Sequence, residues 1–197
     1  MSKEHVRAAL CEARDALEHL IADERMLECI DEAAGLMADA IAAGGRIFSC
    51  GNGGSLCDAM HFAEEMTGRF RRDRRPYAAT AIADAAHLAC VANDFGYEQV
   101  FSRYIEGQGR PGDVLLAIST SGTSRNVVLA AEAAKRLGMK VVGLTGRTGT
   151  RLEAICDKTI ITPGGEWADR VQELHIKCIH IMIELIERRL DPENYAA

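Results

Sequence analysis

Residues 112 to 145 read "GDVLLAISTSGTSRNVVLAAEAAKRLGMKVVGLT". The segment 113–119 is an almost unbroken apolar run after a Gly-Asp turn, the pattern of a strand covered on both faces. From Ser124 the chain becomes helical and closes on Gly138, and "KVVGLT" (140–145) is a further apolar strand. Strand, helix and strand in so short a stretch form a crossover unit, which lays two parallel strands in one sheet.

The same alternation extends both ways. "RIFSC" (46–50) reads as a short buried strand, 55–69 as a helix, "AATAIA" (78–83) as a strand, and 85–93 and 98–108 as helical segments. "KTIIT" (158–162) is a fifth strand, and "WADRVQELHIKCIHIMIELIERRL" (167–190) a long last helix. Two amphipathic helices come first, with Val6, Leu10, Ala13, Leu17 and Leu20, then Met26, Ile30, Ala33, Ala34, Met37 and Ile41, at spacings of three and four. The expected architecture is α/β, a single domain over residues 1–197 with a five-stranded, mainly parallel sheet flanked by helices. The last helix is apolar around much of its circumference. It needs more than one surface to cover it, and packing in a homo-oligomer is expected.

A chain of 197 residues, 48% hydrophobic and 26% charged, has room for one sizeable core. With a net charge of −6, its one concentrated basic run is "RFRRDRRP" (69–76), so no nucleic-acid partner is expected. That run reads as a solvated loop, except that Arg69 falls one turn beyond Glu65 on a helical face. Seven dispersed cysteines without a C-x-x-C pair suggest reduced thiols in a cytoplasmic protein. No uncharged apolar stretch approaches the ~20 residues needed to cross a bilayer, and the charged amphipathic N-terminus does not resemble a signal peptide.

Two loops follow strands and open helices, where an open parallel sheet binds its ligands. In "CGNGGS" (50–55) glycines permit close backbone approach and the helix start offers free N–H groups. In "ISTSGTS" (118–124) the hydroxyls of Ser119, Thr120, Ser121 and Ser124 surround Gly122, which suits the oxygens of a phosphate monoester. One or two such hydroxyls usually only form a turn or cap a helix, whereas four in six residues favour phosphate. Neither a P-loop lysine nor G-x-G-x-x-G is present, so no nucleotide is indicated.

His61 and Glu65 lie one helical turn apart and point the same way, while Glu64 points elsewhere. Alone, such a pair is more often a surface contact than a metal site; just after a ligand loop it becomes a candidate. The last helix adds Asp169, Gln172, His175 and His180. His175, like His5, His19 and His87, is expected to serve packing or capping.

The segments "CGNGGSLCDAMHFAEEMTGRF", "VANDFGYEQVFSRY", "GDVLLAISTSGTSRNV" and "ADRVQELHIKCIHIMIELIE" together resemble the sugar isomerase (SIS) domain family of phosphosugar-binding proteins, over nearly the whole chain. The resemblance narrows to the branch acting on a seven-carbon ketose phosphate. It implies a divalent metal, zinc, held by His61, Glu65, Gln172 and His180. Gln172 and His180 are eight residues apart, about 12 Å along a helix, and do not share a face. Both reach one ion only at full stretch, or one comes from a neighbouring subunit, and a site at an oligomer interface is expected.

The resemblance further implies an aldose–ketose isomerase. Glu65 would move the carbon proton, His180 would open the ring or shuttle protons at oxygen, and Asp169 would orient a partner or touch a hydroxyl. Ser119, Thr120, Ser121 and Ser124 would hold the phosphate. Asn52, Gly53, Gly54, Ser55, Asn93, Asp94, Gln172 and Arg69 would line the sugar. The implied reaction converts sedoheptulose 7-phosphate to D-glycero-D-manno-heptose 7-phosphate, which begins the route to ADP- and GDP-heptose and, in Gram-negative bacteria, the lipopolysaccharide core. A tetramer is the implied assembly. The family also holds non-catalytic members, phosphosugar sensors and a homologue that binds the initiator DnaA. Glu65, His180 and the intact "STSG" here favour an enzyme.

Overall fold

The computed structural model describes residues 2–196. Its centre is a sheet of five parallel strands in the order β2-β1-β3-β4-β5. The strands are β1 (Ile47–Cys50), β2 (Ala79–Ala81), β3 (Val114–Ile118), β4 (Lys140–Thr145) and β5 (Lys158–Ile161). Ile47 lies opposite Ala79 on one side and Val114 on the other, which fixes β1 between β2 and β3.

Eight α-helices are seen among the described residues: α1 (Ser2–Ala22), α2 (Glu24–Ala42), α3 (Gly54–Thr67), α4 (Ala85–Phe95), α5 (Val100–Gln108), α6 (Arg125–Arg136), α7 (Arg151–Ile155) and α8 (Ala168–Leu190). They cover both faces of the sheet. Ile47, Val114, Leu116, Ile118, Val142, Leu144 and Ile160 face a core completed by α2, α3 and α8. The alternate residues Phe48, Cys50, Leu115, Ala117 and Val141 face one completed by α4, α5, α6 and Leu152 of α7. Every residue of β1 and β3 is buried, so both neighbours in sequence must be apolar or small and the usual alternation disappears.

Several boundaries differ from the sequence expectation. The edge strand β2 keeps three residues, since it pairs only with β1. The helix after the first loop stops at Thr67, with Gly68 as its C-cap, instead of reaching Arg69. Helix α4 runs on to Phe95 and is stopped by Gly96 at φ 90°. The short α7 was not expected; Thr150 caps it by accepting the Glu153 N–H at 3.2 Å, and the Glu153 carboxylate accepts from Gly149 N–H at 2.5 Å. This is a variant of the capping box, T-x-x-E in the sequence, in which the carboxylate meets the N–H one residue before the cap.

Helix α8 finds most of its cover within the chain, with Val171, Leu174, Cys178, Ile179, Met182, Ile183 and Ile186 all buried. Against it lie α2 and α3. Its apolar circumference is therefore answered by intramolecular packing, with only Ile181 left 45% exposed. Other uncovered apolar residues are Val6, Leu10 and Ile21 on α1, Leu27 on α2, Met60 on α3, and Phe95, Tyr97 and Trp167 near the ends of α4 and α8. All seven cysteines are free thiols, but Cys57 and Cys90 are exposed rather than core residues. No helix among the described residues is long and apolar enough to cross a membrane.

Candidate functional site

Strand order reverses about β1: the chain leaves it for β2 on one side and returns to β3 on the other. The loops after β1 and β3 consequently diverge and leave a crevice between them. A cleft of about 280 Å³ opens there, lined by Asn52, Gly54, Ser55, Thr120, Ala168, Asp169 and Gln172. Larger hollows of about 550 and 510 Å³ run along α1, lined by such residues as Val6, Leu10 and Arg14, or Ala8 and Asp15. They touch neither loop.

The loop after β1 turns tightly. A Cβ on Gly51 would lie 2.7 Å from Ser55 Cβ, and Gly53, at φ 53°, is the N-cap of α3 without a capping side chain. The start of α3 is thereby left to receive a polar ligand. Gly54 sits against Gln172, whose Cγ would be 3.5 Å from an added Cβ. Ser55 is buried, with its N–H bonded to Asn52 O at 3.0 Å.

After β3 the hydroxyls converge. Ser119 Oγ donates to Ser124 Oγ at 2.9 Å and lies 3.4 Å from Ser121 Oγ. Ser124 is the N-cap of α6 by position but makes no capping side-chain bond. Its hydroxyl is thus committed to the cluster rather than to the helix. Gly122, at φ 66°, packs so closely on Thr150 that an added Cβ would be 2.6 Å from Thr150 Oγ1.

On α3 and α8, His61 Nε2 and His180 Nε2 are 2.8 Å apart, and Glu65 Oε1 is 3.8 Å from His61 Nε2. Glu64, expected to point elsewhere, instead has Oε1 3.0 Å from His61 Nδ1, because the i,i+3 spacing is as close as i,i+4. That contact favours the proton on Nδ1 and turns the Nε2 lone pair toward His180 and Glu65. Burial lowers the His180 pKa, aided by His61 and Lys177. Burial and Glu64 together raise that of Glu65, against His61 and Arg74.

Imidazole nitrogens and carboxylate oxygens are donor types zinc takes; the ligand atoms of His61, Glu64 and Glu65 lie within 4.8 Å of one another, and His180 adds a second imidazole 2.8 Å from that of His61. The donors fit such an ion once the rings part slightly, since two nitrogens on one tetrahedral zinc stand about 3.3 Å apart. Gln172 does not join the imidazoles directly. Its Nε2 donates to Asp58 Oδ1 at 2.6 Å, one turn before His61 on α3, which leaves its Oε1 as an acceptor. Asp58 is buried with Oδ2 unpartnered, and burial raises its pKa despite the Gln172 bond and nearby His61.

Other expected residues lie further out. Arg69 is off the α3 face, in the exposed loop beyond its end. Asn93 and Asp94 are exposed at the end of α4 and bond to each other at 2.7 Å. Asp169 lines the cleft, but its Oδ1 accepts its own helix's Arg170 N–H at 2.9 Å.

The arginine that matters to α3 is Arg74, expected to be solvated. Its side chain is 0% exposed and pairs with Glu187 at 2.7 Å, and Nη2 donates to the Glu65 carbonyl at 2.8 Å. Asp58, Glu64, Arg74 and Asn126 were all missed as site neighbours; only the His61–Glu64 spacing offered a local signal.

A parallel sheet of this order, with a hydroxyl-rich loop at the switch point, is an open α/β domain whose crevice suits a phosphorylated ligand. The SIS domain family model matches residues 10–146. The phosphoheptose isomerase of Serratia proteamaculans is 56% identical over 185 residues, 94% of this chain and 96% of that protein. The solved phosphoheptose isomerase of Neisseria gonorrhoeae superposes with a TM-score of 0.88 at 39% identity, covering 95% of this chain and 99% of that one. That of Francisella tularensis gives 0.90 at 30% identity over the same shares. The chain belongs to the SIS-domain family of phosphoheptose isomerases.

Proposed function

We propose that the chain is an aldose–ketose isomerase that converts sedoheptulose 7-phosphate to D-glycero-D-manno-heptose 7-phosphate through an enediol, the step that begins ADP- and GDP-heptose synthesis for the lipopolysaccharide core. The observation that carries this is one cleft between the two ligand loops, lined by Thr120 of the hydroxyl-rich loop and by Gln172, which bonds Asp58 one turn before His61 on α3.

Ser119, Thr120, Ser121 and Ser124 bind the phosphate, and the N-terminus of α6 adds its dipole. Ser55, the Gly53–Gly54 backbone and Gln172 face the sugar, with Asn93 and Asp94 at the rim. Glu65 takes the proton from the carbon beside the carbonyl and returns it to the neighbour. Burial and Glu64 raise its basicity in the metal-free site, and a bound cation would lower it again, so the proton transfer requires Glu65 to leave the ion during turnover. His180, kept neutral by burial, exchanges protons at oxygen and assists ring opening, and Asp169 orients a hydroxyl. His61, Glu65, His180 and the Gln172 carbonyl oxygen would hold one zinc ion per subunit, which when bound polarises the carbonyl and steadies negative charge on oxygen.

The exposed apolar residues of α1 support a homo-oligomer, a tetramer in this reading, with the N-terminal helices at the contacts and α8 contributing through its exposed Ile181. A cytoplasmic location follows from the free thiols and the sugar-phosphate substrate. Proton NMR of the zinc-loaded protein with sedoheptulose 7-phosphate in deuterated buffer tests the function. An aldose carrying deuterium at C2 is the expected product, and absence of both aldose and exchange would overturn the catalytic reading.

A further inference from the structure

The two ligand loops are joined by a pair of amides. Asn52 Nδ2 donates to Asn126 Oδ1 at 2.9 Å, and Asn126 Nδ2 donates to Asn52 Oδ1 at 2.8 Å. Asn126 is 4% exposed, in the first turn of α6, two residues after Ser124. Its Oδ1 also accepts the Val127 N–H at 3.0 Å. A backbone N–H can meet only an oxygen, so this bond fixes which end of the Asn126 amide is which. Reciprocal pairing then fixes Asn52. Tyr97 O–H, from the turn after α4, donates to the same Asn52 Oδ1 at 3.0 Å.

Asn52 therefore has both lone pairs of its oxygen occupied and only one amide hydrogen left for a ligand. It is largely a strut, despite lining the cleft. The pair ties the loop after β1 to the helix after β3, and Tyr97 ties in the segment carrying Asn93 and Asp94.

We infer that Asn126 is a positioning residue for the isomerisation: through Asn52 it sets the separation of the phosphate and sugar ends of the crevice, and Tyr97 holds the third segment to the same point. The inference rests on the isomerase reading. A phosphosugar must engage both ends at once to put its carbonyl carbons beside Glu65, whereas free phosphate needs only one end.

Asn126→Asp is the test, because it changes one atom. The Val127 N–H and one Asn52 amide hydrogen keep their acceptor, but a carboxylate oxygen now faces Asn52 Oδ1. Flipping Asn52 only moves the opposed oxygens to the other side. The expected result is a fall in kcat/KM for sedoheptulose 7-phosphate of about 50-fold, at least about fivefold greater than the weakening of competitive inhibition by inorganic phosphate, which the new charge near Ser124 also repels. Tyr97→Phe, which leaves the amide pair and the core intact, is expected to lose about fivefold in kcat/KM, again with unchanged phosphate inhibition. It decides the matter if Asn126→Asp does not fold. Equal losses toward the sugar phosphate and inorganic phosphate, or no loss in either variant, would overturn the inference. An inactive wild-type protein in the same assay would instead overturn the isomerase reading.

Discussion

The buried pair of Arg74 and Glu187 offers a direct test of what holds the far end of α3. Their side chains are 0% and 2% exposed, with Nε and Oε1 2.7 Å apart. Arg74 also donates to the carbonyls of Glu65, Met66, Gly68 and Arg75, and its guanidinium lies 4.1 Å from the Tyr77 ring centroid. Tyr195 O–H donates to the other Glu187 oxygen at 2.6 Å. Arg74→Met leaves a buried carboxylate with one neutral partner and removes the donor from the last carbonyls of α3. Breaking a buried pair from one side costs about 3–5 kcal/mol. In a chain of this length each kcal/mol shifts Tm by roughly 2–4 °C, so a fall of about 6–20 °C is expected by differential scanning calorimetry. The double variant Arg74→Met/Glu187→Met removes the stranded charge and should recover about half of that loss, while the bare carbonyls keep it below wild type. A fall under about 2 °C, or a double variant as unstable as the two single losses added, would refute this account of the pair.

Three further outcomes follow from the same geometry. Gly122→Ala forces a side chain into positive φ and onto Thr150, and should raise KM for the sugar phosphate at least about tenfold in steady-state assays while the secondary structure seen by circular dichroism is retained. Glu64→Gln should weaken zinc binding by about 10- to 100-fold in competition with a chromophoric chelator, because the charged partner of His61 Nδ1 is lost, and His61→Ala should abolish it. His175 is fully buried without a regular partner for either nitrogen, and burial pushes its pKa down from 6.5 to about 4. Being neutral in the fold and protonated when unfolded, it favours the fold above pH 6.5 and loses that contribution as pH falls toward 4. At pH 5 the loss is about 2 kcal/mol, and urea denaturation of His175→Leu should show that much less pH dependence than wild type.

The sheet was legible because strands buried on both faces leave continuous apolar runs, as in "VLLAI", and because the helices before β2, β3 and β4 end at or next to glycines. Strand order was not legible. The alternation of strands and helices is the same whether β3 lies beside β1 or beyond β2, and the choice depends on the direction of each crossover. The two ligand loops could be found from their glycines and hydroxyls, since a loop's chemistry is local. What escaped were partners distant in the chain. Nothing within "RFRRDRRP" marks Arg74 as the arginine that turns inward; its partner Glu187 lies in the last helix. Asn126 likewise reads as one more polar residue in a helix start until Asn52 is set beside it.

The expected difficulty of bringing Gln172 and His180 to one site stands within this chain, where Gln172 bonds Asp58 while His180 meets His61; what the sequence did not show is the seam between α3 and α8. Along it Asp58 meets Gln172 and His61 meets His180, and beyond the end of α3 Arg74 meets Glu187. Between these contacts Ala59, Phe62, Leu174, Cys178 and Ile179 lie buried in one apolar cluster. Apolar packing alone would tolerate several registers of two helices, since one methyl can replace another in a groove. Each polar contact tolerates one, because a slip of a single residue moves it about 1.5 Å and leaves a buried donor or acceptor unpaired. The seam therefore fixes the register that brings the two imidazoles and Glu65 together, and it does so with residues outside the chemistry as well as within it.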